Sequence, residues 1–171
     1  YDHIDVDACS ERAIPVVNNS GLNAVSVAEH TIGLIVGLAK KISLTDHLLR
    51  TEGWKTRLAY SRELIGFEVD GLTLGIIGVG NVGSRLSQKS RAAFNMTVLA
   101  YDPYVSQERM REFGATKVDH LDDMLPQVDF LSIHAPHTKE TYHIVGAPQL
   151  VKMKPTAYLI NCARGPLVDE A

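Results

Sequence analysis

From residue 73 onward the chain alternates short apolar runs with stretches of helical spacing. Leu74–Ile77, Met96–Tyr101, Thr116–Val118, Val128–Ala135 and Ala157–Cys162 read as strands. Between them, Asn81–Ala93, Ser106–Phe113, Leu121–Leu125 and Pro148–Met153 read as helices. Gly114 stands where a left-handed residue closes a helix, and Pro126 stops the next one. Such alternation predicts right-handed strand–helix–strand units and an α/β fold. Its sheet is parallel and doubly wound, with helices on both faces. No internal repeat or low-complexity tract interrupts the pattern.

The first part of the chain reads differently. Ala13–Asn18 is strand-like, and Asn18–Asn23 is a turn cluster. A long helix is predicted from Val25 to Ile42, apolar on most faces and so expected to be buried between two domains or two subunits. Within it Thr31–Ala39 is the one membrane-like stretch, but nine residues cannot span a bilayer. A second helix with alternating charge, Leu44–Arg50, follows, and Lys55–Asp70 reads as a polar surface connection.

Composition narrows the class only a little. The 171 residues are 45 % hydrophobic and 22 % charged, an ordinary balance for a chain with a packed core. A formal charge of −3 gives no electrostatic case for nucleic acid or an anionic membrane as partner. Cys9 and Cys162 are far apart and form no Cys-x-x-Cys pair, so neither a disulfide framework nor a metal site is indicated. A reducing, cytoplasmic setting fits best. The chain begins at Tyr1 rather than Met, so the lack of a signal-peptide pattern says nothing about targeting.

The first apolar run leads directly into Gly78-Val-Gly80-Asn81-Val82-Gly83. A strand feeding a glycine turn that opens a helix offers bare backbone N–H groups to a pyrophosphate. A side chain at Gly80 would block that approach, and one at Gly83 would push the helix off the strand. The next strand ends in Asp102, close to the spacing at which an acid accepts the adenosine ribose hydroxyls in a Rossmann-type fold. Its charge repels a 2′-phosphate and so favours NAD over NADP. The plain alternative is a turn residue before Pro103.

Four segments together resemble the D-isomer-specific 2-hydroxyacid dehydrogenases, the family that includes phosphoglycerate dehydrogenase-like enzymes. They are Val17–His30, Gly71–Gly83, His134–Thr141 and Leu159–Glu170, in that order along the chain. The resemblance implies NAD as cofactor and a small 2-hydroxy or 2-oxo acid as substrate. It implies pyrophosphate contacts at Asn81 and Val82, and an adenine-side wall at His134, Ala135 and Pro136. Thr141 matches a further cofactor contact. Cys162, Ala163 and Arg164 match the segment that passes the nicotinamide ribose. Arg164 matches the catalytic arginine, and Asn23 an asparagine that reaches substrate in some phosphoglycerate-specific members. Physical chemistry agrees about Arg164: past an apolar strand, at the sheet's carboxyl edge, a guanidinium can grip a carboxylate bidentately. Its bland counterpart is a surface arginine in a Gly-Pro turn.

The resemblance further implies that residues 1–23 are a remnant of a flavodoxin-like substrate domain and that 24–171 are most of the NAD-binding domain. The glutamate and histidine of the family's catalytic set have no match here, so this chain alone is expected to be inactive. Pairing of subunits through the Val25–Ile42 region is implied as well. His134 and His137 invite a catalytic reading, but His134 is expected to be a hydrogen-bonded residue at a strand end. Cys162 is expected to be a small residue beside the cofactor rather than a nucleophile. Glu29 and His30 are expected at the junction of the long helix, and Asp122-Asp123 at a solvated helix start. A reading of another class is a dinucleotide-sensing interaction protein similar to the C-terminal-binding-protein corepressors. Adenosylhomocysteine hydrolases share the glycine turn but lack the Asn161-Cys-Ala-Arg-Gly165 segment.

Overall fold

In the computed structural model, which describes residues 3–171, the apolar runs become the strands of one sheet. They are β1 (Thr73–Ile77), β2 (Thr97–Tyr101), β3 (Thr116–Lys117), β4 (Phe130–Ile133) and β5 (Tyr158–Asn161). All neighbours run parallel in the order β3-β2-β1-β4-β5. The chain therefore starts in the middle, winds outward to β3, and crosses back to lay β4 on the other side of β1. Such a reversal leaves a crevice at the carboxyl ends of β1 and β4.

Both faces of the sheet are covered, which is why the strands read as unbroken apolar runs rather than as alternating ones. On one face Leu74, Ile76, Val98 and Phe130 pack under α2 (Ala24–Ala39) and α5 (Asn81–Phe94). On the other, Ile77, Leu131 and Ile133 pack against Met124 of α7 (Leu121–Met124), Leu125, Val128 and Leu167. Phe67, Phe130 and Tyr158 form a three-ring cluster in which every pair of centroids is 5.4–6.2 Å apart. Small residues keep the stripe of α2 close to the layer beneath it, with Ala24, Ala28 and Ala39 buried, while on α5 Gly83 sits against the Gly78 turn and Ser87 donates to the Phe113 carbonyl at 2.8 Å. Lys89 and Glu29 bridge the two helices at 2.9 Å.

Several expectations need correction. Ala13–Asn18 is not a strand; it joins no sheet among the described residues. Ala13 takes φ 52°, and Pro15 has no N–H to give a ladder. A helix that the pattern did not suggest, α1 (Val6–Glu11), precedes it, capped by Asp5 Oδ1 on the Ala8 N–H at 2.9 Å. The long helix ends at Ala39, because Lys41 enters the left-handed region at φ 56° before α3 (Ile42–Glu52) begins. Only one stripe of α2 is buried (Ala24, Ala28, Thr31, Ile35 and Ala39), while Val25, Leu34 and Leu38 stay exposed. Glu29 and His30 lie within α2 rather than at its junction.

The 55–70 connection is not wholly a surface segment. It contains α4 (Thr56–Ala59), and it ends by sending Phe67 and Val69 into the core. Of the remaining helices, α6 (Gln107–Glu112) falls inside its predicted span, and α8 (Ala147–Leu150) starts one residue before and ends three residues before the predicted Pro148–Met153. No helix among the described residues is long and apolar enough to cross a membrane.

Candidate active site

Each glycine of the turn after β1 has a different reason to be there. Gly78 has φ 91°, and a Cβ on it would lie 2.7 Å from the Ala135 nitrogen at the end of β4. A Cβ on Gly83 would sit 2.2 Å from the Gly78 carbonyl oxygen, so α5 packs on the turn only because that Cβ is missing. Gly80 differs: a Cβ there would meet nothing within 4 Å. It is the N-cap of α5 and offers no side-chain capping bond. The first N–H groups of a helix have no intrahelical acceptor, so this terminus has donors and open room beside them. A pyrophosphate fits that cradle.

Asp102 follows β2 and uses both carboxylate oxygens locally. Oδ2 accepts the Val79 N–H at 2.8 Å and Oδ1 accepts the Tyr104 N–H at 2.9 Å. The carboxylate therefore shapes the turn before Pro103 and ties it to the glycine turn.

Asp102 lines a cavity of about 190 Å³ together with Ile77, Gly78, Ala135, Pro136, Thr141 and Ile144. Thr141 fixes the far wall, its Oγ1 donating to the Pro136 carbonyl at 2.6 Å and accepting the Thr138 N–H at 2.8 Å. On the other side of the glycine turn, Gly80, Asn81, Arg85 and Arg109 line a second groove. Val82 and Gly83 form the first turn of α5 with Asn81. Asn23 caps α2 without a side-chain capping bond. Its turn reaches the cleft through Gly21, where a Cβ would come 2.6 Å from Asn81 Nδ2.

His134 turns inward. Its N–H donates to the Ile77 carbonyl at 2.7 Å, and its Nε2 lies 2.9 Å from the Oγ of fully buried Ser132. Burial pushes its pKa down to about 4, so the ring is neutral at pH 7. The cavity wall at this point is Ala135 and Pro136, not the imidazole. His137 is exposed, its ring tilted 45° to that of Tyr142 with centroids 6.1 Å apart.

At the carboxyl end of β5, Asn161 braces the segment that carries Cys162, Ala163 and Arg164. Its amide donates to the Arg164 carbonyl at 2.8 Å and its Oδ1 accepts the Ala163 N–H at 3.0 Å. The Arg164 side chain is exposed, with one guanidinium nitrogen 2.9 Å from the Ala163 carbonyl. Cys162 and Ala163 are half-buried. Among the described residues no group of three or more His, Cys, Asp or Glu is placed to hold a metal ion.

Sequence reasoning missed two residues of the cavity mouth, Tyr104 and Glu140. Both stand next to residues it did find, two positions after Asp102 and one before Thr141. That adjacency was the available signal.

Residues 32–171 match the family described as D-isomer specific 2-hydroxyacid dehydrogenase, NAD binding domain. The D-3-phosphoglycerate dehydrogenase of Archaeoglobus fulgidus is 41 % identical over 170 residues, covering 99 % of this chain and 31 % of that protein. That of Synechocystis is 40 % identical over 169 residues, covering 99 % of this chain and 29 % of that protein. Among solved structures, D-mandelate dehydrogenase of Rhodotorula graminis superposes with a TM-score of 0.90 at 25 % identity, covering 99 % of this chain and 50 % of that one. D-lactate dehydrogenase of Aquifex aeolicus, complexed with NAD and lactic acid, gives 0.84 at 37 % identity, with 99 % and 49 % covered. The chain thus spans about half the length of these structures and less than a third of the two curated relatives. Its parallel sheet, glycine turn and acid after β2, together with this match across most of its length, show that the chain belongs to the D-isomer specific 2-hydroxyacid dehydrogenases and carries their NAD binding domain.

Proposed function

We propose that the protein carrying this chain interconverts a D-2-hydroxy acid and its 2-oxo acid by hydride transfer with NAD. The observation that carries this reading is Arg164, held at the carboxyl edge of β5 by the Asn161 brace. A guanidinium there can take a substrate carboxylate in two parallel hydrogen bonds and stabilise charge on the neighbouring oxygen. Asn23 is assigned to the same substrate. When bound, NAD supplies the hydride acceptor. The chain's residues bind and orient it: N–H groups of Asn81 and Val82 take the pyrophosphate beside Gly78, Gly80 and Gly83. Asp102 takes the adenosine ribose, and Ala135, Pro136 and Thr141 bound the adenine. His134 backs this wall from within the sheet. Cys162 and Ala163 pass the nicotinamide ribose. His134 is not the proton donor, because it is buried, neutral and engaged by Ser132.

In this reading residues 1–23 belong to a substrate domain and 24–171 to the cofactor domain. Two copies pair through the flank of α2 that exposes Leu34 and Leu38. Two unpaired cysteines accord with a cytoplasmic setting. The corepressor alternative gains no support from the relatives reported above, all of them dehydrogenases. D-3-phosphoglycerate dehydrogenases are among these relatives, which puts a phosphorylated 2-oxo acid first in any panel. The test is NADH oxidation by the full-length protein against phosphohydroxypyruvate, pyruvate, glyoxylate and bulkier 2-oxo acids. Binding of NADH without oxidation by any of them would remove the enzymatic reading.

A further inference from the structure

The cavity beside Asp102 has two walls that arise far apart in the chain. One is the turn after β2, where the Asp102 carboxylate fixes Tyr104 through its N–H at 2.9 Å. The other is the loop after β4, where Thr141 folds residues 136–141 back on themselves through the Pro136 carbonyl and the Thr138 N–H. Across the mouth between them, the Tyr104 hydroxyl donates to Glu140 Oε2 at 3.2 Å. It is the side-chain bond that joins the two walls over the opening, and both of its residues line the cavity. Behind it lie Ile77, Ala135, Pro136 and Ile144, an apolar slot suited to a flat base.

From this geometry we infer that Tyr104 and Glu140 form a clasp over the adenine end of the cofactor cleft, and that Glu140 is a second carboxylate, beside Asp102, that selects against a 2′-phosphate on the adenosine ribose. The inference rests on the assignment of this cleft to NAD. The hydrogen bond holds the walls together, so it acts on any adenine nucleotide. The charge discriminates only against a ligand carrying extra negative charge at the ribose, because like charges lining one cavity repel. Both carboxylates are felt at the clasp: Glu140 first, and Asp102 after it, hold the Tyr104 phenol above its ordinary value. Tyr104 is 83 % exposed, so neither effect is large.

Two substitutions separate bond from charge. Glu140→Gln keeps an acceptor for Tyr104 and removes the charge; Tyr104→Phe removes the donor and keeps the charge. Dissociation constants for NADH and NADPH are measured by calorimetry on the full-length protein, without substrate. In E140Q the affinity for NADPH rises relative to NADH by about fivefold. In Y104F both affinities fall together by about threefold and their ratio stays as in the wild type. Added salt lowers the wild-type preference for NADH, and lowers it less in E140Q. An unchanged NADH-to-NADPH ratio in E140Q overturns the selectivity role, and wild-type affinities in Y104F overturn the clasp. Wild-type protein that fails to bind NADH overturns the cofactor cleft itself, a result distinct from either.

Discussion

The Val79 N–H donates to Asp102 Oδ2 at 2.8 Å, tying the turn after β1 to the turn after β2. Val79 is 3 % exposed, so its N–H has no ready substitute in water if the carboxylate is removed. Asp102→Ala is therefore expected to cost about 1–3 kcal/mol of folding stability, and Asp102→Asn, which keeps an acceptor, clearly less. Both should weaken NADH binding by about tenfold, because a neutral side chain makes weaker hydrogen bonds to ribose hydroxyls. Urea unfolding and calorimetry check the two effects separately. D102A as stable as the wild type would show that the turn does not need its acid.

The two glycines flanking Asn81 and Val82 should fail in opposite ways. Gly83→Ala drives a methyl to 2.2 Å from a backbone oxygen, which cannot yield as a side-chain end could. A loss of about 2–4 kcal/mol is expected, since α5 must lift from β1. Gly80→Ala meets nothing within 4 Å and should cost only about 1 kcal/mol, through the poorer N-cap that alanine makes. It should nevertheless weaken NADH binding, because its methyl points into the space assigned to the pyrophosphate. Equal melting points for the two variants would contradict this division.

What the sequence made legible was whatever is encoded locally. The strands announced themselves because both sheet faces are covered, and Gly78 and Gly83 because no other residue fits a positive φ or a sub-3 Å approach. Other features depend on the folded neighbourhood. An all-round apolar α2 cannot reveal which stripe meets α5, and Lys41 gives no warning that it will turn left-handed. Helix α1 spans six residues, too short for periodicity to register against its Asp5 cap. Tyr104 and Glu140 are 36 residues apart and meet only because β1 brings the ends of β2 and β4 to either side of itself.

His134 makes stability depend on pH. Its pKa falls from an ordinary 6.5 to about 4 in the fold because burial penalises the charged ring. Between those values the unfolded chain binds the proton and the folded one does not, so stability rises with pH there. The contribution is complete above pH 6.5 and lost as pH falls to about 4. Over that window the loss amounts to about 3 kcal/mol. His134→Gln keeps a polar partner for Ser132 without a titrating ring. The wild-type minus variant difference in urea midpoint should therefore shrink as pH is lowered from 7.5 to 4.5. A difference that is flat in pH would mean the ring titrates as it does in water.

Arg164 should be insensitive in stability and sensitive in rate. Its side chain is exposed, so Arg164→Lys and Arg164→Gln should both unfold close to the wild type. Lysine keeps the charge but not the planar fork, so it should not restore activity. Both variants are expected to lose about two to three orders of magnitude in kcat/KM, with NADH binding little changed. The Asn161 brace can be tested the same way. Asn161→Ala frees the Arg164 backbone, and should lower kcat/KM by about tenfold while leaving the guanidinium present. R164K with wild-type kcat/KM would reduce Arg164 to a surface residue of a Gly-Pro turn.

The exposed face of α2 carries the proposal of a dimer, and its chemistry can be tested without touching the cleft. Leu34 and Leu38 of α2 are 37 and 36 % exposed, Ile42 at the start of α3 is 55 % exposed, and Trp54, at 74 %, adds to the apolar surface beyond α3. The buried stripe of the same helix holds Ala24, Ala28, Thr31, Ile35 and Ala39, so a charge at position 34 or 38 leaves the contact with α5 intact. Leu34 and Leu38 lie one turn apart on one flank of that stripe, where a self-complementary contact between two-fold related copies would cover them together. Leu34→Glu with Leu38→Glu should place like charges across that contact and shift sedimentation from dimer to monomer. The variant's fold should persist, with NADH still bound, because neither residue lines the cofactor cavity. A wild-type protein that sediments as a monomer would remove the pairing and leave this face for a partner of another kind.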